Sequence, residues 1–192
     1  MSHRVPLHHF LQANTSLNFG GIEHICSRFE PIWLKPGDTF IKAGTKSSHL
    51  GFLLDGILSA RTSNDYGYQC IKYFVCKNQF FAEMDSFYKG EKAGTSLVAA
   101  VPCHILQLPL YELDALRREI DGFEKAFLQI SELSLLNILN LKDVLHHGSV
   151  TQQYHALSRQ YPHIVQRVPL KHIAEFLNVT QSSLSRIRRN MR

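Results

Sequence analysis

The chain has 192 residues, 44% of them apolar and 19% charged, with a net charge of +5. That length suits one large domain or two small ones around a buried core, and the composition excludes a disordered chain. No apolar run approaches the roughly 18–20 residues of a membrane span, and MSHRVPLHHFLQANTS at the start lacks a secretory leader's charged-then-apolar pattern, so a cytoplasmic protein with no membrane partner is expected.

Residues 1–30 are weakly periodic, with Ile22, Ile25, Cys26 and Phe29 spaced as one helical face. From about 31 to 109 the texture changes to strands and turns. Pro36-Gly37-Asp38, Asp55-Gly56 and Asn64-Asp65-Tyr66-Gly67 are turn signals. Between them lie the β-rich runs TFIKA, LGFLLDG, ILSART, CIKYFV and SLVAAV, a spacing that predicts a compact all-β roll or sandwich of six or more strands. Cys26, Cys70, Cys76 and Cys103 form no C-x-x-C pair, which argues for reduced thiols over a zinc ribbon, redox motif or iron–sulfur site.

A helical texture follows. A short helix is predicted at 110–118 and a long one from Gly122 towards His147. In its centre Leu133, Leu135, Leu136, Ile138, Leu139, Leu141, Val144 and Leu145 wrap most of the circumference, so the helix must be covered on more than one side. One face can pack on the roll. The other meets either a copy of itself in a second subunit or a second domain of the same chain. His146-His147-Gly148-Ser149 breaks the pattern, and a helix at about 150–160 ends at Tyr161-Pro162.

The positive charge is concentrated at one end. Residues 149–192 hold seven Lys/Arg against a single acid, Glu175, for +6, while the remaining 148 residues sum to −1. Such an end suits a polyanion, or is a solvated cationic face. The stretch VPLKHIAEFLNVTQSSLSRIRRN, 168–190, discriminates between the two. Counted from Leu170, Ala174 is small enough for two helices to cross closely, and Ile173, Leu177, Val179, Leu184 and Ile187 form the apolar seam of a helix-turn-helix. Asn178 stands where the turn needs left-handed backbone, and Thr180 is a good N-cap for the second helix. A membrane-surface helix would carry more apolar bulk than Leu184 and Ile187. The exposed face then presents Gln181, Ser182 and Arg186 towards base edges, with Thr180, Ser183, Arg188 and Arg189 towards phosphates. Lys171 on the first helix is placed for the flanking backbone.

A β-roll, a long helix and a C-terminal helix-turn-helix, in that order, resemble the Crp/Fnr family of bacterial transcription regulators. LKPGDTFIKAG (34–44), HLGFLLDGILS (49–59), QFFAEMDSFYKGEKAGTSLVAA (79–100) and QRVPLKHIAEFLNVTQSSLSRIRR (166–189) carry the resemblance. It implies an α+β fold: a cyclic-nucleotide-binding-like β-roll at 1–121, a dimerisation helix at 122–147, and a winged helix-turn-helix at 148–192. It also implies a homodimer on a near-palindromic operator in double-stranded DNA, with RNA polymerase and an unidentified small-molecule effector as further candidate partners.

In cyclic-AMP-binding members of the family, the cassette has a glycine and a glutamate, then an arginine for the cyclic phosphate. Here Glu83 matches the glutamate, Ala82 replaces the glycine, and Ala93 falls at the arginine position, before Gly94 and Thr95. Glu83, Gly94 and Thr95 are therefore the candidate ligand residues. Without the arginine no charge-assisted contact offsets burial of a phosphate, and Lys89 and Lys92 nearby are a poorer geometric match. The expected regulator does not answer to cyclic AMP, and with Glu83 released from that role it reads as a surface or cap residue. No cofactor is expected: the first thirty residues hold only Cys26, and neither His49 nor His104 lies in a haem motif. The alternative is a cupin-like small-molecule-binding protein or metal-dependent enzyme whose C-terminal helices are not a DNA reader. That chemistry needs a His-x-His pair that residues 31–109 lack, so a non-enzyme is expected.

Overall fold

Short apolar runs between tight turns need cover on both faces. In the computed structural model, which describes residues 2–63 and 69–190, two four-stranded antiparallel sheets supply it to each other. One sheet has the order β1 (Glu30–Leu34), β8 (Cys103–Pro109), β3 (His49–Asp55) and β6 (Phe80–Phe81); the other has β2 (Thr39–Ile41), β7 (Ser96–Ala99), β4 (Leu58–Ser63) and β5 (Gln69–Val75). Leu53, Leu58, Leu97 and Ile105 fill the space between them. The five β-rich runs of the sequence all fall on strands; β1, β6 and β8 lie outside those runs. The expected turn at 64–67 lies outside the described residues.

The apolar run of β3 is explained by its two-sided burial. Leu53 points into the roll, while Leu50, Phe52 and Leu54 point out to a layer of helices. That layer is built from α1 (Val5–Asn14), α2 (Phe19–Arg28) and α4 (Leu110–Glu119), with Leu7, Leu11, Ile22, Ile25, Leu113 and Leu116 buried against Phe52 and Leu106. Arg28 ties α2 to α4 through Glu112 at 2.7 Å and Glu119 at 2.9 Å. A short helix, α3 (Met84–Lys89), follows β6. The long helix, α5, spans Phe123–Asp143 and tightens into a 3-10 turn over Val144–His146. Its Phe123 and Ala126 join the helical layer and its Leu141 joins a second apolar cluster, while Leu128, Leu135, Leu136 and Leu139 face outward.

Four helices complete the chain: α6 (Val150–Gln160), α7 (Pro162–Arg167), α8 (Leu170–Phe176) and α9 (Gln181–Asn190). The helix expected at about 150–160 is α6, opened by a capping box between Ser149 and Gln152. Packing is continuous across residue 148. One cluster runs from Ile57, Ile71 and Phe74 of the roll through Leu157 and Ile164 to Ile173, Phe176 and Leu184. Phe74 of β5 and Phe176 of α8 meet with ring centroids 5.3 Å apart. Among the described residues no strand follows β8, so the expected wing has no counterpart there.

The β3–β4 turn depends on Gly56. Its φ is +108°, and a Cβ built there would lie 2.6 Å from the Pro102 carbonyl oxygen and 2.7 Å from Cys103 Cα. Backbone strain and a clash with backbone atoms then act together. Gly56→Ala is expected to lower unfolding free energy by about 3 kcal/mol, read by urea denaturation. A loss below about 1 kcal/mol would mean that the turn relaxes freely.

Candidate nucleic-acid interface and the cassette of the roll

The α8–α9 pair is held together locally as the sequence spacing requires. Ile173, Ala174, Leu177 and Leu184 are buried, with Val179 and Ile187 packed against them. Asn178 takes the left-handed conformation with φ of 56°. The Val179 N–H then reaches back to the Ala174 carbonyl at 3.0 Å, ending α8 and turning the chain. Thr180 Oγ1 accepts the Ser183 N–H at 3.2 Å, which caps α9. The same hydroxyl lies 2.8 Å from Ser183 Oγ and 3.0 Å from Ser182 Oγ, so three candidate contact residues form one cluster at the helix N-terminus.

Lys171, Thr180, Gln181, Ser182, Arg186, Arg188 and Arg189 are exposed, and Ser183 is half-buried. Four of them are cations, α9 itself carries no acid, and the nearest acid in sequence is Glu175 on α8. The face is therefore positive, flanked by hydroxyls and one amide, with its apolar side turned inward.

The opposite side of α8 is docked on the roll. Arg61 of β4 places Nη2 at 3.0 Å from His172 Nε2 and 3.4 Å from Nδ1. A guanidinium can only donate, so the imidazole must accept and be neutral. Burial first, then the charges of Arg61 and Lys171, hold the His172 pKa below the usual histidine value, against an opposing pull from Glu175. Arg167 of α7 makes a two-pronged ion pair with Asp55, at 3.1 and 3.2 Å. The Arg167 hydrogen bond keeps the Asp55 carboxyl below its usual range. His163 Nε2 lies 3.2 Å from Cys76 Sγ, where burial pushes the thiol up to about 12. Burial raises Cys26 to about 12 and Cys103 to about 11, so these three thiols stay protonated.

In the roll, Glu83, Gly94 and Thr95 come together, but they are already engaged. Glu83 is buried, which corrects the expectation of a surface position, and it does serve as a cap. Its carboxylate accepts the Ser86 N–H at 3.0 Å, capping α3, and the Gly94 N–H at 3.3 Å. Ala93 is buried in the inter-sheet core, its N–H bonded to the Thr45 carbonyl at 2.8 Å. Thr95 is buried too, and its hydroxyl accepts from Lys72 Nζ at 3.2 Å. Sequence reasoning misses Lys72. Its only signal there is a cation between Ile71 and Tyr73 in the run CIKYFV. Lys89 and Lys92 are exposed. His49 is half-buried beside Ser48, and His104 stacks on Trp33 with centroids 4.1 Å apart. Among the described residues no three His, Cys, Asp or Glu side chains gather as a metal site. Nor, among them, is any helix long and apolar enough to cross a membrane.

Residues 31–119 match the cyclic nucleotide-binding domain family. In three dimensions the chain is similar to the c-di-GMP-responsive global regulator CLP of Xanthomonas campestris, at 15% identity and a TM-score of 0.67 over 91% of each chain. It is also similar to FixK2 from Bradyrhizobium japonicum, at 10% identity and a TM-score of 0.65 over 85% of this chain and 84% of that one. A CRP-family transcriptional regulator from Thermus thermophilus matches at 13% identity and a TM-score of 0.65, over 83% of each chain. No curated protein matches the sequence significantly. At these identities the likeness is one of fold: an α+β chain with a cyclic-nucleotide-binding-type β-roll and the Crp/Fnr-like order of helices around it.

The Arg61–His172 contact makes docking of α8 sensitive to pH. The folded pKa of His172 is lowered, so above about pH 6.5 the ring is neutral whether docked or free and nothing is lost. As pH falls through about 6.5 the undocked ring takes up a proton that the docked ring resists, and docking weakens. His163, which meets Cys76 of the roll, is shifted in the same direction by burial and adds to the slope. Amide exchange of Ile173 and Phe176, corrected for intrinsic rates, should therefore accelerate between about pH 7.5 and 5.5, less so in His172→Gln. Equal protection at both pH values would show that the contact does not hold α8.

Proposed function

We propose that the chain is a homodimeric, sequence-specific DNA-binding transcription regulator of Crp/Fnr type that does not answer to cyclic AMP. The observation that carries this reading is the α8–α9 pair. Its seam is buried, its turn uses Asn178 at positive φ, and its second helix turns Gln181, Ser182, Arg186, Arg188 and Arg189 to solvent with no acid among them. A merely cationic helix face requires neither of the first two features. Gln181, Ser182 and Arg186 are assigned to base edges, Thr180, Ser183, Arg188 and Arg189 to phosphates, and Lys171 to the flanking backbone.

The homodimer rests on α5. Leu128, Leu135, Leu136 and Leu139, each about half exposed or more, form one outward apolar strip on a helix whose other side is already covered. A copy related by a two-fold axis covers this strip. It also sets two α9 helices in successive major grooves about 34 Å apart on a near-palindromic operator. On this reading 1–121 form the sensor unit, 122–147 the dimer helix and 148–192 the DNA-reading unit. Cyclic AMP is disfavoured because Ala93, buried in the inter-sheet core, offers no charge to a phosphate.

The test begins with fluorescence anisotropy of the full chain against random duplexes and then against the sequences they enrich, over a series of salt concentrations. Arg189→Ala should weaken all sequences alike and reduce the salt slope by about one. Arg186→Ala should instead relax preference at one base pair per half-site, at about 1–3 kcal/mol. Uniform loss in both variants would overturn the division of roles, and no preference in the parent chain would overturn the reading itself.

Leu136→Lys combined with Leu139→Lys alters exposed positions only. It should give a folded monomer by sedimentation, with operator affinity reduced at least about tenfold. A dimer that persists in this variant would place the interface elsewhere.

A further inference from the structure

Beneath α5 lies a pocket of about 130 Å³, open on one side, between α1, α2, α3, α4 and α5 and the strands β3, β5, β6 and β8. Phe29, Phe80, Leu116, Phe123, Phe127 and Ile130 are among the residues of its wall, whereas Glu83, Gly94 and Thr95 are not part of it. The first part of the cassette, through Gln79, Phe80, Phe81, Ala82 and Phe87, borders this space, but the three candidate ligand residues do not. We propose that this cavity is a binding site for a small, neutral aromatic molecule of the size of one substituted benzene ring.

Three observations define that ligand. The first is charge: the wall includes no Lys, Arg, His, Asp or Glu among the described residues. An ionised group inside it would lose water and find no counter-charge in the wall itself; the Arg117 guanidinium, 5.9 Å from the Phe127 ring centroid, is already paired with Asp114 and Glu124. The second is shape. Phe127 lies between Phe87 and Phe123, with interplanar angles of 16° and 19° and centroids 5.8 and 6.1 Å apart, so one wall is a row of near-parallel rings. A flat molecule can lie against such a row with offset-stacked or edge contacts. The volume is close to that of a Leu/Ile/Phe-lined cavity of about 150 Å³ that takes up benzene.

The third is the residues at its margin. Ala82, Ala126, Ser131 and Ser134 line the space in a region built mainly of Phe, Leu and Ile. A larger side chain at any of these positions would fill it. The Ser131 and Ser134 hydroxyls donate to the Phe127 and Ile130 carbonyls, at 2.8 and 2.9 Å, which leaves each oxygen able to accept one more hydrogen bond. Gln79 also borders the cavity, with its Oε1 already accepting the Cys76 N–H at 2.8 Å. A phenol O–H or an indole N–H suits the two serines; a carboxylate does not.

The consequence for regulation rests on the reading of the chain as a dimeric DNA-binding regulator. Leu135 borders the cavity and is also 57% exposed on the outward strip of α5. A ligand that repositions this side of the helix acts directly on the surface that would meet the second subunit.

The experiment is calorimetric titration of the full chain with toluene, phenol and indole, with benzoate as the charged counterpart, followed by thermal unfolding. Toluene, phenol or indole should bind saturably at sub-millimolar concentration and raise Tm by several degrees, with benzoate at least about tenfold weaker. Ala126→Leu fills the cavity and should abolish uptake; Ser134→Leu fills it from the other side and decides the matter should the first variant not fold. Uptake retained in a folded filled variant, benzoate binding as tightly as phenol, displacement of the probe by cyclic AMP, or no saturable uptake of any probe would each overturn the site. DNA anisotropy on the same samples separates the two readings: uptake without DNA binding supports the cavity and removes the regulator, and DNA binding without uptake does the reverse.

Discussion

A 21-residue helix that is apolar around most of its circumference cannot rest against a single layer, and that constraint on α5 organises the molecule. Its first turns are sealed by the helical layer over β3 and β8, through Phe123 and Ala126. Its last turn is sealed by the second cluster, through Leu141 and then Val144. Between these anchors the helix is fixed at both ends while its middle keeps one apolar side turned outward. The roll, the C-terminal helices and the outward strip are thus mechanically connected through one rod, with no flexible tether between residue 123 and residue 143.

The docking of the C-terminal helices is decided by apolar contact. The Arg167–Asp55 pair is well aligned, yet both side chains are largely exposed, and such pairs contribute about 1 kcal/mol or less. Burying Phe176 against Phe74, together with Ile173 and Leu177, is worth about 1.5–3 kcal/mol for each side chain. The polar groups therefore fix orientation and add pH sensitivity, while the apolar seam supplies the strength. The cationic face of α9 lies away from this interface, so docking leaves Arg186, Arg188 and Arg189 exposed.

Much of this is legible in the sequence where the signal is local. Ala174, Asn178 and Thr180 each do locally what their side chains dictate, because a tight turn and a cap involve neighbours within five residues. The bounds of α6 follow from Ser149 before it and Pro162 after it for the same reason. The missing pieces are those that depend on distant partners. Leu7 and Leu11 are only one turn apart, too little periodicity to mark α1, and they matter because Phe52 and Leu106 lie beneath them. β1 and β8 pair across about seventy residues, and β6 has two residues. Neither the position of Lys72 beside Thr95 nor the burial of Glu83 has any local signature, since both arise from segments brought together by the roll.

The cassette and the pocket show how charge, or its absence, limits what a β-roll can hold. A buried phosphate needs a cation held in fixed geometry, because the desolvation of two negative oxygens is otherwise uncompensated. Ala93 gives no such group, and its methyl instead adds to the inter-sheet core. Lys72 supplies positive charge nearby, but as a single flexible ammonium already bonded to Thr95, with none of the paired donors of a guanidinium. The Glu83 carboxylate stitches α3 to the loop at Gly94. The space beside α5 is lined mainly by Phe, Leu and Ile, with the Ser131 and Ser134 hydroxyls and Gln79 at its border. The lining favours shape and neutrality over charge, and Leu135 places its border on the same helix that carries the outward leucine strip.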